Sequence, residues 1–502
     1  MNFVEINNKI LYRNNYIINI MIILYVINCF ILLISRIIYN ISFSEPLHLF
    51  TSGLEEEVLL SIWESMNNNN IFTDHTQFPY RRAMYNWLFY DYYSYILDKI
   101  LKLSNITEMW IPTICRLITF LCTPILFLYT LKLLKMLSKD KILVFGIAIM
   151  ITYGPLTGYW VITTRPDIYA LLFEIAAIYI FFKYIDNINY FKLFIISIIL
   201  YLAWSFKQTN ITTLLSIFTY FIVKKDIKHI IFMFFMMSIM ILMTFYILGI
   251  EYLQSVTFYN YYVHRSVSHV FLYFFKFIIK TMPINILVLF CIFKYIQNKK
   301  TNILINLSNQ MYFAIIGILY SIVILLSTVT HIGSADNYYF VFTVYLSIFT
   351  LILYSSVDCK HKKISSIFNF TGWFLAFISI LFPMINLHGS INLPKYNMQI
   401  KTLNECKIHI DQPFFTSNPY FSLPWIIKSE YPIILTHNYS YDRSVNIPLE
   451  NDGIRGLIKQ KYFKTLLFDA IPMSGPPTEY DQASLDGYEY KKDLCEQFYI
   501  FK

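Results

Sequence analysis

Carboxylates, cations and amides collect in a few short segments that flank long apolar runs. Glu55, Glu56 and Glu57 stand in a row, followed by Asp74-His75 and Arg81-Arg82. Arg165-Pro166-Asp167, Lys207-Gln208, His264-Arg265 and Asp336-Asn337-Tyr338 come later, each in a connection between apolar runs. A carboxylate at a membrane surface can take a proton, and partial burial raises its pKa toward the working pH. A guanidinium fork matches a phosphate or carboxylate. Each segment also has an ordinary reading. Three glutamates suit a solvated helix start, Arg165 with Asp167 a local ion pair closing a turn, Lys207 a snorkelling side chain, and His264 or His331 a loop position.

The elements that carry these residues are membrane helices. Of 502 residues 57% are hydrophobic and 14% charged, against about 25% charge in a soluble chain. A soluble enzyme is excluded, because so large an apolar surplus has no aqueous surface to occupy. Only 13 glycines and 17 prolines argue against a fibrous or disordered chain, and 42 Tyr with 45 Phe suit membrane interfaces. A bilayer crossing takes about 20 apolar residues. Runs of that kind are expected at 17–34, 111–131, 142–162, 168–182, 191–206, 211–223, 230–250, 270–293, 311–327, 338–354 and 364–384, which makes about eleven transmembrane helices. The short runs 191–206 and 211–223 are divided only by Lys207-Gln208-Thr209-Asn210, so that count carries a margin of about two.

The net charge of +9 does not indicate a nucleic-acid partner, because the cations sit in tracts between apolar runs. Lys9 with Arg13 and the loops 132–141, 183–192, 224–228, 294–300 and 360–363 alternate onto one side, which the positive-inside rule makes the cytoplasm. No small-residue cleavage site follows the first run, so it is expected to be an uncleaved anchor with a cytoplasmic N-terminus. The polar segments above then all reach the opposite, extracytoplasmic face. Independent solvated cations would not favour turns that the positive-inside bias depletes, and this joint placement favours function over the ordinary readings. Charges within the spans are few. Glu174 stands out, as a bundle-facing hydrogen-bonding group or as part of a cavity.

Two extracytoplasmic pieces are expected. The first external loop covers about 36–110 and holds an aromatic helix over 85–100 lying along the interface. Residues 386–502 form a small soluble α/β domain with strands at 431–435 and 465–468, following a transmembrane domain of residues 1–385. Four of seven cysteines lie in apolar runs and no zinc spacing appears; Cys406 and Cys495 share the C-terminal region either as a disulfide or as two free thiols.

At these residues the sequence resembles the GT-C superfamily of polytopic glycosyltransferases, and within it the bacterial proteins related to protein O-mannosyltransferases and the lipid A aminoarabinose transferase. The parallels are the acidic Glu55-Glu56-Glu57 of a long first external loop, then Ile71-Phe72-Thr73-Asp74, Phe78-Pro79-Tyr80 and Tyr85-Asn86-Trp87-Leu88-Phe89-Tyr90. Thr164-Arg165-Pro166-Asp167, Phe206-Lys207-Gln208-Thr209 and Asp336-Asn337-Tyr338-Tyr339 complete them. The family commonly has an Asp-Glu or Glu-Asp pair or a single carboxylate, where this chain has three glutamates. Glu55 or Glu56 is favoured for the catalytic position, since Glu57 begins the following helix and is expected on its solvent side.

The resemblance implies an all-α polytopic enzyme of the plasma (inner) membrane. It would move a sugar from a polyprenyl-phosphate donor to a lipid, glycan or protein acceptor at the outer face, with inversion. Glu55 or Glu56 is then the general base. Arg165, and secondarily Lys207, Arg265, Arg81 or Arg82, stabilise the leaving phosphate, and Asp167 orients Arg165. Gln208, His264, Asp336, Asn337 and Tyr338 complete the substrate-binding set. No cofactor is implied; a divalent metal stays open, although Asp74 and His75, adjacent and without a partner at helical spacing, read as a loop pair before a metal site. The competing class is a lipid or solute transporter or flippase, which would show broken helices, internal repeats or midplane charges. A scaffold would be indifferent to Glu55 and Glu56.

Overall fold

A computed structural model describes residues 20, 22–38, 55–81, 83–258, 266–298, 308–330, 335–356, 407–416, 423–434, 447–468, 485, 487–491 and 499–502. In chain order the helices are α1 (Ile22–Ile38), α2 (Glu55–Met66), α3 (Trp87–Ser104), α4 (Ile111–Lys135), α5 (Lys141–Tyr153), α6 (Asp167–Tyr184) and α7 (Tyr190–Phe206). They continue with α8 (Thr212–Val223), α9 (Ile227–Leu253), α10 (Val267–Lys280), α11 (Met282–Asn298), α12 (Asn309–Val329), α13 (Phe340–Ser356) and α14 (Gly453–Lys459). The chain divides into two compact units. Met1–Tyr39, Leu117–Met243 and Arg265–Ser390 form one; Asn40–Arg116, Thr244–His264 and Ile391–Lys502 form the other.

The first unit is helical, and its helices start where the sequence supplies acceptors. Asp140 accepts from Leu143 N at 3.1 Å, Asn189 from Lys192 N at 3.0 Å and Ser308 from Met311 N at 3.2 Å, each satisfying a backbone donor that the first helical turn leaves open. α6 is buried on nearly every side. Its Tyr169 stacks on Phe206 at 5.0 Å and its Phe181 packs on Phe313 at 4.8 Å. Gly317 of α12 admits the Tyr345 ring so closely that a Cβ would lie 2.1 Å from it, the small-residue contact typical of membrane helices. α9 instead leaves Phe234, Phe235 and Leu242 exposed, an apolar surface that suits a lipid environment.

Most expected runs are helices, with two corrections. The run 142–162 is not one span: α5 ends at Tyr153 and a 3-10 turn occupies Gly158–Ile162. Pro155 pushes the preceding residue out of helical conformation, and Gly154 is extended at ψ 178°. The run 270–293 is likewise broken, α10 and α11 meeting at 83°. Pro283 has no N–H to continue the ladder, and the Asn285 amide donates to Ile278 O at 3.1 Å and to Thr281 Oγ1 at 3.0 Å across the break. Among the described residues four helices are long and apolar enough to cross a membrane, five if the bent pair is one span, with α1, α5, α7 and α8 as shorter apolar helices. The expected span 364–384 lies outside the described residues.

Glu174 proves to be a bundle-facing group. Its Oε2 accepts from Thr213 N at 3.2 Å, capping α8 from a neighbouring helix, and Tyr345 donates to Thr213 Oγ1 at 2.9 Å beside it.

The second unit joins the first loop to the C-terminal region. The Asn86 side chain caps α3 by accepting from Trp87 N at 2.9 Å, and Ser65 bonds Ser94 at 3.1 Å between α2 and α3. β1 (Phe414–Thr416) pairs parallel with β2 (Thr465–Phe468), which pairs antiparallel with β3 (Tyr499–Phe501). With α14 this sheet is mixed and small; of the two strands expected in the α/β region, 465–468 is β2, but Tyr431–Ile434 is not a strand: Ile433 O accepts from Arg81 Nε at 3.2 Å. Tyr80 of the first loop enters the core of Phe415, Ile434, Leu457, Phe463 and Phe468. Glu450 ties the same segments, donating its N–H to Thr76 O at 2.9 Å and accepting from Phe78 N at 2.9 Å and Tyr80 OH at 2.7 Å. Cys406 and Cys495 lie outside the described residues.

Candidate functional site

In the second unit, Glu55, Glu56 and Glu57 form the first turn of α2, where the open N–H groups and helix dipole favour anions. All three are buried. Glu55 is 0% exposed and holds Arg116 in a two-point grip, Oε1 accepting from Nε at 3.2 Å and Oε2 from Nη2 at 2.9 Å. Two parallel N–H···O bonds of this kind fix the guanidinium and the carboxylate in one plane and one orientation. Arg116 was missed from sequence although it is a lone arginine inside the apolar run 111–131.

Glu57 does not face solvent, contrary to expectation. It lines a partly open hollow of ≈ 570 Å³ with Ser61, Glu64, Asn70, Thr73, Tyr80 and Arg81. Arg81 pairs with Glu64, which also accepts from Asn69. Burial lowers the Arg81 pKa by more than the neighbouring Glu64 raises it. Asn70 donates to Glu251 at 3.3 Å. Glu64 and Glu251 carried no sequence signal beyond their charge. Asp74 accepts from Thr76 N at 2.9 Å and Thr76 Oγ1 at 2.7 Å, the self-contained turn of an Asp-x-Thr segment. Among the described residues no three His, Cys, Asp or Glu side chains gather as metal ligands.

The first unit holds a second constellation. Asp167 begins α6, Lys207 follows the last turn of α7, and Asn337 and Tyr338 lie in a 3-10 turn, Asp336–Tyr339. Asp167 Oδ1 accepts from Lys207 Nζ at 2.5 Å and from Asn337 Nδ2 at 2.7 Å, and Lys207 lies 4.4 Å over the Tyr338 ring. Thus four of the expected substrate-binding residues meet, from segments separated by up to 170 positions. Asp167 was expected to orient Arg165; its carboxylate holds Lys207 and Asn337 instead, while Arg165 stacks at 5.4 Å over Trp160.

The turn that carries Asn337 and Tyr338 is fixed on both sides. Asp336 pairs with Lys280 at the end of α10, and Tyr339 stacks on Phe277 at 4.8 Å. Gln208 is half-buried in the turn after Lys207. Arg82, His264 and Arg265 lie outside the described residues.

No protein-family model and no curated protein matches the chain. Among solved structures it is similar to ArnT from Cupriavidus metallidurans in the apo state, with TM-score 0.57 and 10% identity over 95% of this chain and 97% of that one. The same figures hold for ArnT bound to undecaprenyl phosphate. The oligosaccharyltransferase of Archaeoglobus fulgidus, in complex with Zn and sulfate, matches at TM-score 0.45 and 13% identity over 89% of this chain and 68% of that one. The chain therefore shares the fold of that ArnT structure along nearly its whole length, and it is a multi-pass membrane protein.

Proposed function

We propose that the chain is a glycosyltransferase that takes a sugar from a polyprenyl-phosphate donor and passes it, with inversion, to a lipid, glycan or protein acceptor at the outer face of the plasma membrane. The observation that carries this reading is the fold shared over 95% of the chain with a protein solved with undecaprenyl phosphate bound. The N-terminus is cytoplasmic, and the first loop and residues 386–502 are extracytoplasmic.

Transfer needs one proton removed and one anion stabilised. The acceptor oxygen or nitrogen attacks the anomeric carbon, its proton goes to a carboxylate, and the electrons of the breaking C–O bond go to the phosphate. Glu55 or Glu56 is the base; Glu57, buried against a hollow, joins them as a candidate. Both oxygens of Glu55 are held by Arg116, which suits a fixed electrostatic role and weakens its claim to the proton. Arg165 and Lys207 stabilise the leaving phosphate, Lys207 with the N–H groups that Asp167 does not engage. The polyprenyl chain stays in the bilayer throughout.

A transporter or flippase is the second reading, and the break between α10 and α11 favours it. α10, however, has Phe271, Phe274 and Phe275 exposed and only Phe277 buried, the pattern of a helix lying on the membrane interface. The two readings separate in nanodiscs loaded with radiolabelled polyprenyl-phosphate sugars and candidate acceptors. A transferase moves label to an acceptor, and Gln at its base slows that step about 100-fold or more. Label that stays on the lipid for every donor and acceptor tried removes the enzyme reading.

A further inference from the structure

The Asp167 constellation opens on a shallow hollow, continuous with the outside, lined by Asp167, Lys207, Thr209, Asn210, Asn337 and Tyr338 together with apolar side chains. Its hydrogen bonding is lopsided. Both strong donors, the Lys207 ammonium and the Asn337 amide N–H, converge on one oxygen, Asp167 Oδ1. Asp167 Oδ2 and Asn337 Oδ1 are buried without a partner among the described residues, on side chains of residues 3% and 9% exposed. A buried acceptor left unmet costs its desolvation, so the hollow suits a group that brings O–H or N–H donors.

Phosphate does not fit that description. Its oxygens accept only, so it can meet the spare N–H groups of Lys207 but not Asp167 Oδ2 or Asn337 Oδ1. A sugar fits: its hydroxyl or amino groups donate, and its C–H face can lie on the Tyr338 or Phe340 ring.

We infer that this hollow reads the sugar of the donor, Asp167 Oδ2 and Asn337 Oδ1 accepting from its hydroxyl or amino groups. Lys207 stands at the junction between sugar and phosphate. The inference rests on the polyprenyl-phosphate-sugar reading above and assigns that substrate's head group to named atoms.

The test is binding to the full chain in nanodiscs. The probes are undecaprenyl phosphate alone and undecaprenyl phosphate carrying arabinose, aminoarabinose, mannose, glucose or galactose. Wild type is expected to prefer at least one sugar-bearing lipid over the bare lipid by about tenfold or more, the scale of a hydrogen bond to a charged group. Asn337→Leu, which keeps the Asp167–Lys207 pair, and Asp167→Asn both abolish that preference and leave bare-lipid affinity unchanged or higher, with melting temperature in detergent reporting the fold. Equal loss of bare and sugar-bearing lipid in a folded Asn337→Leu protein overturns the inference. So does a wild type that binds the bare lipid and prefers none of the sugars, a result that leaves the polyprenyl-phosphate reading standing. A wild type that binds neither overturns both.

Discussion

Asp167 Oδ1 receives the ammonium of Lys207 at 2.5 Å and the amide of Asn337 at 2.7 Å. The Asp167 and Lys207 side chains are 2% and 5% exposed. Removing one member of such a pair strands the other charge. Asp167→Ala or Lys207→Ala should lower stability by about 3–5 kcal/mol, while Asp167→Leu with Lys207→Met should recover most of that loss. Denaturation in detergent measures the coupling, and simple additivity of the two singles would contradict the pairing.

Glu55 and Arg116 make the corresponding pair in the second unit, with side chains 0% and 1% exposed. Glu55→Ala is expected to destabilise by about 3–5 kcal/mol, and Glu55→Leu with Arg116→Met by much less. Loss of activity in Glu55→Ala therefore does not identify the base unless the melting temperature is retained. Gln replacements at Glu56 and Glu57, compared at matched stability, identify it.

Glu174 supplies α8 with a cap from outside its own chain segment. Glu174→Gln keeps an acceptor and should melt close to wild type. Glu174→Leu should lose about 0.5–2 kcal/mol, the usual worth of an N-cap. If the Leu variant proves as stable as the Gln variant, the capping account is wrong.

Tyr80 carries the first loop into the C-terminal core and donates to Glu450 O at 2.7 Å. Tyr80→Phe should cost about 1 kcal/mol for the lost hydrogen bond, and Tyr80→Ala about 3–5 kcal/mol for the cavity. Limited proteolysis should find the 70–86 segment cut first in the Ala variant.

Helix positions were legible because long apolar runs leave few alternatives, and the Asp167, Lys207, Asn337 and Tyr338 constellation was legible because polar residues in short turns between such runs share a membrane face. The breaks at Gly154 and Thr281 were written in Pro155 and Pro283, but a window of hydropathy passes over a single proline. The partnerships were not legible. Arg165 stands two residues from Asp167, and local spacing suggested that pair; Lys207, 40 positions away, takes the carboxylate because the fold of α6 against α7 brings it there. Arg116 was hidden by the apolar residues around it, and Glu57 looked solvated only because its hollow is built from residues further along the loop.

A transferase of the proposed kind must break the bond between a sugar and a polyprenyl phosphate. Mass spectrometry of the lipid fraction from vesicles holding the purified chain, an acceptor and sugar-bearing undecaprenyl phosphate tests it directly. Bare undecaprenyl phosphate should accumulate in step with glycosylated acceptor, and neither should form when Glu55, Glu56 and Glu57 are all Gln in a protein that still melts cooperatively. Sugar-bearing lipid that stays intact with every donor while crossing from one leaflet to the other would contradict it.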